Sequence, residues 1–248
     1  MERVPVPPQR MPPLRGGRPL KRWTYVGAFG PELMLCAAQA RIAGVPVAWW
    51  AVWDRAAGRL VEGRRGVAVT PERVTVRGRL ELEVEGGASV EVVSPHSDQY
   101  AWTRKRAARV RGTFDGRPVD LRAIVDESAG YHARHTAWRW SAGVGTLAGG
   151  EPVTWNLVDG LHDAATGSER AVWIAGEPRE VPPVAFAADL SSVATLRFTA
   201  EATRARRENR LLIRSDYEQP FGTFAGELPG AGELREGYGV MERHDVYW

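Results

Sequence analysis

Residues 130–145 read GYHARHTAWRWSAGVG, and their alternation decides the fold class. Successive side chains of a β-strand point to opposite faces, so Thr136, Trp138 and Trp140 share one face. The glycines that follow are typical of a place where a second backbone or a ligand comes close. The stretch predicts a strand with two indole rings on one face, which are either core side chains or the wall of a ligand pocket.

The same period of two extends outward along the chain in both directions. Turn signals rich in glycine separate the runs, for example Gly86-Gly87, Asp115-Gly116 and Asp159-Gly160. A helical apolar stripe is missing, and the polar residues 201–209 are interpreted as a connection. We therefore expect an all-β protein of short antiparallel strands, a sandwich or a barrel, with few or no long helices. The alternating runs are 67–69, 74–76, 80–84, 90–93, 195–200 and 238–248.

The chain divides by composition into an arm and two halves. Residues 1–20 hold six prolines and two glycines, which predicts an extended arm. A charged stretch gives way to a tryptophan-rich one near residues 126–131. We expect one β-barrel-like domain over residues 21–128 and a second over 129–248.

Composition excludes several classes of protein. The chain has 248 residues, of which 44% are hydrophobic and 25% charged, as in ordinary soluble globular proteins. Its single cysteine rules out an internal disulfide. The longest apolar stretch, residues 45–53, is far shorter than the ~20 residues of a spanning helix, and no signal peptide is recognisable. We therefore expect no transmembrane segment and a cytoplasmic location.

The distribution of charge and the missing motifs disfavour further classes of function. The 33 basic and 30 acidic side chains are interspersed, so we predict no nucleic-acid partner. The arginine-rich stretches 104–111 and 204–210 leave an interaction module open as an alternative. The sequence contains no G-x-S-x-G elbow, no phosphate-binding P-loop and no strand-linked G-x-G-x-x-G, which disfavours the usual hydrolase and nucleotide sites.

Two histidines and two polar residues are candidates in the second half. His132 and His135 have a spacing that would suit one metal on a helical turn, but two ligands are fewer than zinc requires, so we predict hydrogen-bonding roles and no metal. Asn156 lies opposite Trp155 and flanks a turn, where it could orient a ligand or hold the turn. Glu169 begins an apolar strand, where burial would raise the pKa of its carboxyl and suit it as a general acid; the alternative is an ion pair with an arginine.

The last strand carries a second acidic candidate. Tyr238, Val240, Glu242, His244 and Val246 share one face, which is apolar except for the glutamate and the histidine. If this face is buried, the pair is an acid–base constellation or a polar clip. If the other face is buried, both are surface groups.

Several segments together resemble a known but uncharacterised family. The strings W-T-R-K at 102–105 and H-T-x-W-x-W-S-x-G-x-G at 135–145, with the closing GYGVMERHDVYW, resemble the family of domain of unknown function 2804 over residues 11–248. That family is distantly similar to carotenoid hydratases, tocopherol cyclases and Diels-Alderases. The resemblance implies two lipocalin-like antiparallel barrels that bind apolar molecules. It also implies catalysis without a redox cofactor.

The leading hypothesis is therefore a pocket for an apolar or amphipathic small molecule. In an enzyme, Glu169 or the pair Glu242 and His244 would protonate an alkene, epoxide or carbonyl group. The indoles would stabilise developing positive charge. The alternative is a binding or carrier protein with the same pocket. The candidate ligand-binding residues are His132, His135, Trp138, Trp140 and Asn156.

Overall fold

The computed structural model describes residues 4–96, 99–210 and 213–248. Within these ranges the chain contains no helix and consists of antiparallel strands and the turns between them. The prediction of an all-β antiparallel fold is confirmed. In these ranges, accordingly, no helix has the length and apolar character needed to cross a membrane.

The first large sheet has nine strands, in the order β6-β5-β4-β3-β11-β10-β9-β8-β7. Its strands are β3 (Lys21–Phe29), β4 (Leu33–Ile42), β5 (Val45–Asp54), β6 (Arg59–Gly63), β7 (Val67–Val69), β8 (Arg73–Val76), β9 (Leu80–His96), β10 (Gln99–Phe114) and β11 (Arg117–Gly130). The sheet curls, because β7 packs back against β3, β4 and β5. Val69 donates its backbone N–H to the Gln39 side chain at 3.4 Å across this contact.

The second large sheet has eight strands, in the order β15-β14-β13-β12-β19-β18-β17-β16. Its strands are β12 (His135–Leu147), β13 (Pro152–Asp159), β14 (Ala171–Ile174), β15 (Glu177–Glu180), β16 (Ser192–Val193), β17 (Leu196–Arg210), β18 (Ile213–Leu228) and β19 (Gly232–Tyr247). Gly143 of β12 shows why small residues follow the indoles. A Cβ there would lie 2.6 Å from the backbone oxygen of Tyr238 and 2.2 Å from the Trp155 ring.

Three large apolar clusters lie within and between the two sheets. The nine-stranded sheet encloses aliphatic side chains with Trp50 and Phe114, and the eight-stranded sheet encloses a cluster that includes Trp155 and Phe224. The third cluster lies between the sheets and takes residues from both, among them Phe29 and Trp140. Each sheet therefore buries both of its faces along its central strands.

The N-terminal arm is extended and packs on the first sheet. It contains the short pair β1 (Leu14–Arg15) and β2 (Arg18–Pro19). Met11 is buried against Tyr100 and Tyr131. Those two tyrosine hydroxyls donate to the backbone oxygens of Pro5 and Pro12, at 2.5 and 2.7 Å.

Three expectations about strand connections need correction. Gly86-Gly87 lies inside β9, at a bulge opposite Arg106, because a Cβ at Gly86 would lie 2.4 Å from that guanidinium. Residues 201–209 belong to β17 and pair with β18, so they are not a connection. Both sheets also remain open, since no backbone ladder joins β6 to β7 or β15 to β16 among the described residues.

Candidate functional site

Polar side chains from both sheets meet inside the apolar layer between them, and we call this group the inter-sheet seam. Its position follows from register, because Tyr25, Asp126 and Lys105 are direct neighbours across β3, β11 and β10. Trp140 faces Glu242 across β12 and β19 in the same way. The seam consists of Tyr25, Cys36, Lys105, Asp126, Trp138, Trp140, Asn156, His162, Glu169, Arg204, Tyr217, Gln219 and Glu242.

Glu242 is the central acid of the seam, and it is only 8% exposed. Its Oε1 accepts from the Trp138 indole N–H at 2.8 Å. Its Oε2 accepts from the Tyr217 hydroxyl at 3.1 Å and from the Gln219 amide at 2.9 Å. Burial raises the pKa of Glu242 to about 7, although the hydrogen bonds from Trp138 and Tyr217 lower it. The carboxyl group therefore changes protonation state near neutral pH.

Gln219 connects Glu242 to the opposite sheet. Its Oε1 accepts from the Cys36 thiol at 3.4 Å and from the Arg204 guanidinium at 3.2 Å. Arg204 in turn forms an ion pair with Glu62 at 3.0 Å. Cys36 is buried, and burial raises the pKa of its thiol.

Lys105 holds two carboxylates at the other end of the seam. Its Nζ lies 2.6 Å from Asp126 Oδ1 and 3.3 Å from Glu169 Oε1. Burial alone would lower the pKa of Lys105, but the two carboxylates raise it. Burial raises the pKa of Asp126 foremost, and Glu169 adds to the rise while Lys105 opposes it. The cation that pairs with Glu169 is thus a lysine of the other sheet, not an arginine.

Asn156 and the two indoles form one wall of the seam. Asn156 accepts from the Trp140 indole N–H at 2.7 Å and donates to the backbone oxygen of Glu169 at 2.8 Å. Trp138 is half-buried, and its ring meets His244 edge-on at a centroid distance of 4.5 Å. The predicted aromatic wall therefore lies between the two sheets and not inside either curled sheet.

Glu242 and His244 lie on the face that packs between the sheets, which resolves the alternatives left open for the last strand. His244 Nε2 lies 2.8 Å from Ser215 Oγ, and burial lowers the pKa of His244 to about 4. The two side chains share neighbours, since Tyr217 bonds to Glu242 and contacts the His244 ring at 5.2 Å. The pair is therefore a buried carboxyl group beside a neutral imidazole.

The structure separates His132 from His135. His135 is exposed, lies 3.1 Å from Asp245 and stacks on Tyr247. His132 is buried, stacks on Trp23 and contacts the His162 ring at a centroid distance of 6.0 Å. Burial lowers the pKa of His132 well below its usual range. The two rings therefore cannot act on one ligand group.

Two open surface depressions lie outside the seam, one beside Leu147 and Glu233 and the other beside Gly66 and Arg77. Neither is bordered by Trp138 or by other seam residues. Sequence reasoning missed Lys105, Arg204, Tyr217 and Gln219. Only the strand register reveals which polar residues of β10, β17 and β18 point inward.

The sequence can now be set beside known proteins. A family model described as a domain of unknown function (DUF2804) matches residues 56–248. The chain belongs to this family. The resemblance predicted from the sequence is thereby confirmed, although the match begins later than residue 11. Among proteins of curated function, none matches the sequence.

Solved structures agree on the fold of this family member. One neighbour is a protein from Nitrosomonas europaea with a provisional AttH assignment, at 13% identity and a TM-score of 0.50 over 97% of this chain and 98% of the other. A second is kievitone hydratase from Nectria haematococca, at 8% identity and a TM-score of 0.50 over 90% and 88% of the two chains. Both neighbours have lipocalin-like β folds, which confirms the predicted fold class.

Proposed function

We propose that this protein is an enzyme of the hydratase, cyclase or isomerase type, acting on an apolar or amphipathic small molecule in the inter-sheet seam. Glu242 is the proposed general acid. The observation that carries the proposal is a buried carboxyl group with a pKa raised to about 7, placed beside indole rings. A general acid works best when its pKa lies near the working pH. Kievitone hydratase, whose name denotes addition of water, shares the fold and is consistent with this class.

The surroundings of Glu242 suit both states of the acid. The protonated form is favoured by burial, so a proton is present to donate to an alkene carbon, an epoxide oxygen or a carbonyl oxygen. After the transfer, the carboxylate keeps hydrogen bonds from Trp138, Tyr217 and Gln219. Positive charge that develops on the ligand is stabilised by the faces of the indoles. For hydration, water then adds to the cation and loses one proton to the Glu242 carboxylate, which restores the acid.

The remaining predicted site residues take secondary parts in this proposal. Glu169 lies 3.3 Å from the Lys105 ammonium and is a second candidate for proton transfer. His244 is neutral and positions Trp138 and Tyr217 through ring contacts. Trp138, Trp140, Asn156 and His132 line the ligand. Since Trp138 is half-buried at the edge of the seam, its displacement opens the seam to a ligand.

Deuterium incorporation tests the acid without knowledge of the natural substrate. A panel of prenyl alkenes, epoxides and enones is incubated with the protein in D₂O, and mass spectrometry measures deuterium in carbon positions. We expect incorporation with the native protein and at least about a hundredfold less with Glu242→Gln. His135→Gln is the control, because His135 is exposed and apart from the seam. Equal incorporation by Glu242→Gln would refute the role of Glu242.

A carrier without catalysis is the second candidate, because the Glu242 carboxyl group already accepts hydrogen bonds from Trp138, Tyr217 and Gln219. In that case apolar compounds bind and shift the tryptophan fluorescence, but no panel member gains deuterium.

The cytoplasmic location stays a prediction.

A further inference from the structure

We infer that the end of the seam formed by Lys105, Asp126, His162 and Glu169 binds a neutral hydroxyl group, an alcohol or a phenol, of the ligand. We call these four residues the polar end. The inference rests on the proposed function, because it concerns the ligand of the same seam. It names the head group that the proposed function leaves open.

Buried polar atoms without partners are concentrated at the polar end. Among the described residues, Glu169 Oε2 and both ring nitrogens of His162 have no hydrogen-bond partner. Glu169 is 3% exposed and His162 is 7% exposed, so water at the surface does not reach them freely. Leaving a buried polar atom unpaired costs about 1–3 kcal/mol. Such a concentration therefore indicates a place for an added polar group.

Neighbouring groups extend the same surface. His132 Nε2 and the Gln99 carboxamide are likewise without partners among the residues described. His132 meets the His162 ring at a centroid distance of 6.0 Å, and Gln99 lies on the face of β10 that also carries Lys105. By contrast, the carboxylate of Asp163, beside His162, has a hydrogen-bond partner, since its Oδ2 accepts from the Gly160 backbone N–H at 2.8 Å. The turn thus has its own support and does not need the imidazole.

The donor and acceptor pattern selects a hydroxyl group. The free Glu169 oxygen accepts a hydrogen bond, whereas a neutral imidazole offers one donor and one acceptor. Burial lowers the pKa of His162 to about 3, so the ring is neutral. A hydroxyl can donate to Glu169 and accept from His162 at once. An ammonium group has only donors and would meet Lys105, and a carboxylate would meet Asp126 and Glu169.

The backbone at His162 is consistent with a ring held in place for binding. Its φ is +52°, a left-handed conformation that few residues other than glycine adopt. Backbone strain of this kind is found where the surrounding structure needs a side chain in one direction. The backbone oxygen of His162 accepts from the Glu169 N–H at 3.3 Å, which places the two residues side by side, and the charges of Lys105 and Asp126 act on the His162 ring.

Isothermal titration with four matched naphthalenes tests the head group. The probes are 2-naphthalenemethanol, 2-methylnaphthalene, 2-naphthoate and 2-naphthylmethylammonium at pH 7.5. We expect the alcohol to bind about tenfold more tightly than the methyl compound, and both charged probes to bind more weakly than the alcohol. Tightest binding of the ammonium probe would overturn the hydroxyl assignment.

Substitutions then locate the effect. His162→Phe removes two unpaired polar atoms and keeps a ring, so we expect tenfold weaker binding of the alcohol, unchanged binding of 2-methylnaphthalene and an unchanged or higher Tm. A fall in Tm together with full alcohol affinity would show a structural role instead. His135→Phe is the matched control, and Glu169→Gln is a second variant expected to weaken alcohol binding.

The two proposals fail in different ways. If the alcohol and the methyl compound bind the native protein equally, the hydroxyl site is wrong and the acid role of Glu242 stands. If none of the four probes binds, the hydroxyl site is wrong, and the acid role of Glu242 is decided by the deuterium experiment alone. Because binding needs no turnover, loss of deuterium incorporation in Glu242→Gln is independent of this result.

Discussion

Replacement of Glu242 by glutamine is expected to remove a pH dependence from the stability of the fold. Burial raises the pKa of this carboxyl to about 7 in the folded protein, from an ordinary value of about 4.5. The folded state therefore holds the proton more tightly than the unfolded state. Its stabilising contribution is complete below pH 4.5 and is lost as the pH rises through 7.

The size of the effect follows from the two pKa values. Each pKa unit corresponds to about 1.36 kcal/mol, so the total loss is about 3 kcal/mol. Between pH 5 and pH 8, about 2.5 kcal/mol of this is lost from the native unfolding free energy. Glutamine does not titrate, so the Glu242→Gln protein loses none of this unfolding free energy between pH 5 and pH 8. The pKa of His244, lowered to about 4, has the opposite effect at acidic pH, but it acts in both proteins and cancels.

Urea unfolding at pH 5 and pH 8, followed by tryptophan fluorescence, measures the difference. Native protein and Glu242→Gln are compared at both values, and Glu83→Gln on an exposed position is the control. The glutamine variant carries a constant penalty, because its amide has one acceptor oxygen where the carboxylate has two, so either Trp138 or Gln219 loses its acceptor. Only the change with pH is informative. Parallel changes in the native and Glu242→Gln proteins would refute the raised pKa and with it the general acid.

Four further predictions, one on pH and three on substitutions, probe the same structure. Catalytic turnover is expected to fall as the pH rises through about 7, since the acid form of Glu242 is lost. A turnover rate that does not change over that pH range would contradict this. Lys105→Met leaves two buried carboxylates without their cation. It should lower the free energy of unfolding in urea by about 3–5 kcal/mol at pH 8, and by less at pH 4. Asn156→Leu leaves an indole N–H and a backbone oxygen unpaired, at a cost of about 2–4 kcal/mol by the same measurement. Gly143→Ala should lower the Tm by several degrees, because a Cβ would overlap an indole ring of the adjacent strand.

Strands could be predicted from the sequence because their signal is local. The alternation around Trp138 and Trp140 is written in neighbouring residues, and the structure places both on one face of β12. The same locality misled at Gly86-Gly87, where two glycines imitate a turn. Their actual reason is the Arg106 side chain on the paired strand, which no local pattern contains.

The candidate site could be predicted only in part, since it forms where two sheets meet. Glu242 stands out in sequence as a charge on an apolar face. Lys105 and Arg204 do not, because each lies in a stretch of basic residues and differs from its neighbours only in being buried. The pairing of Lys105 with Glu169 depends on the contact between β10 and the segment before β14. Strand register and sheet packing are non-local, and a single sequence does not display them.

The layer between the sheets has a practical consequence for dividing the molecule. The chain passes from one sheet to the other between Gly130 and His135, so a cut there would separate two complete sheets. Each fragment would expose half of an apolar cluster, and the N-terminal piece would also carry Lys105 and Asp126 without Glu169. The two fragments would therefore have complementary apolar surfaces. This makes the protein a candidate for a split reporter, in which two separately expressed pieces reassemble when brought together.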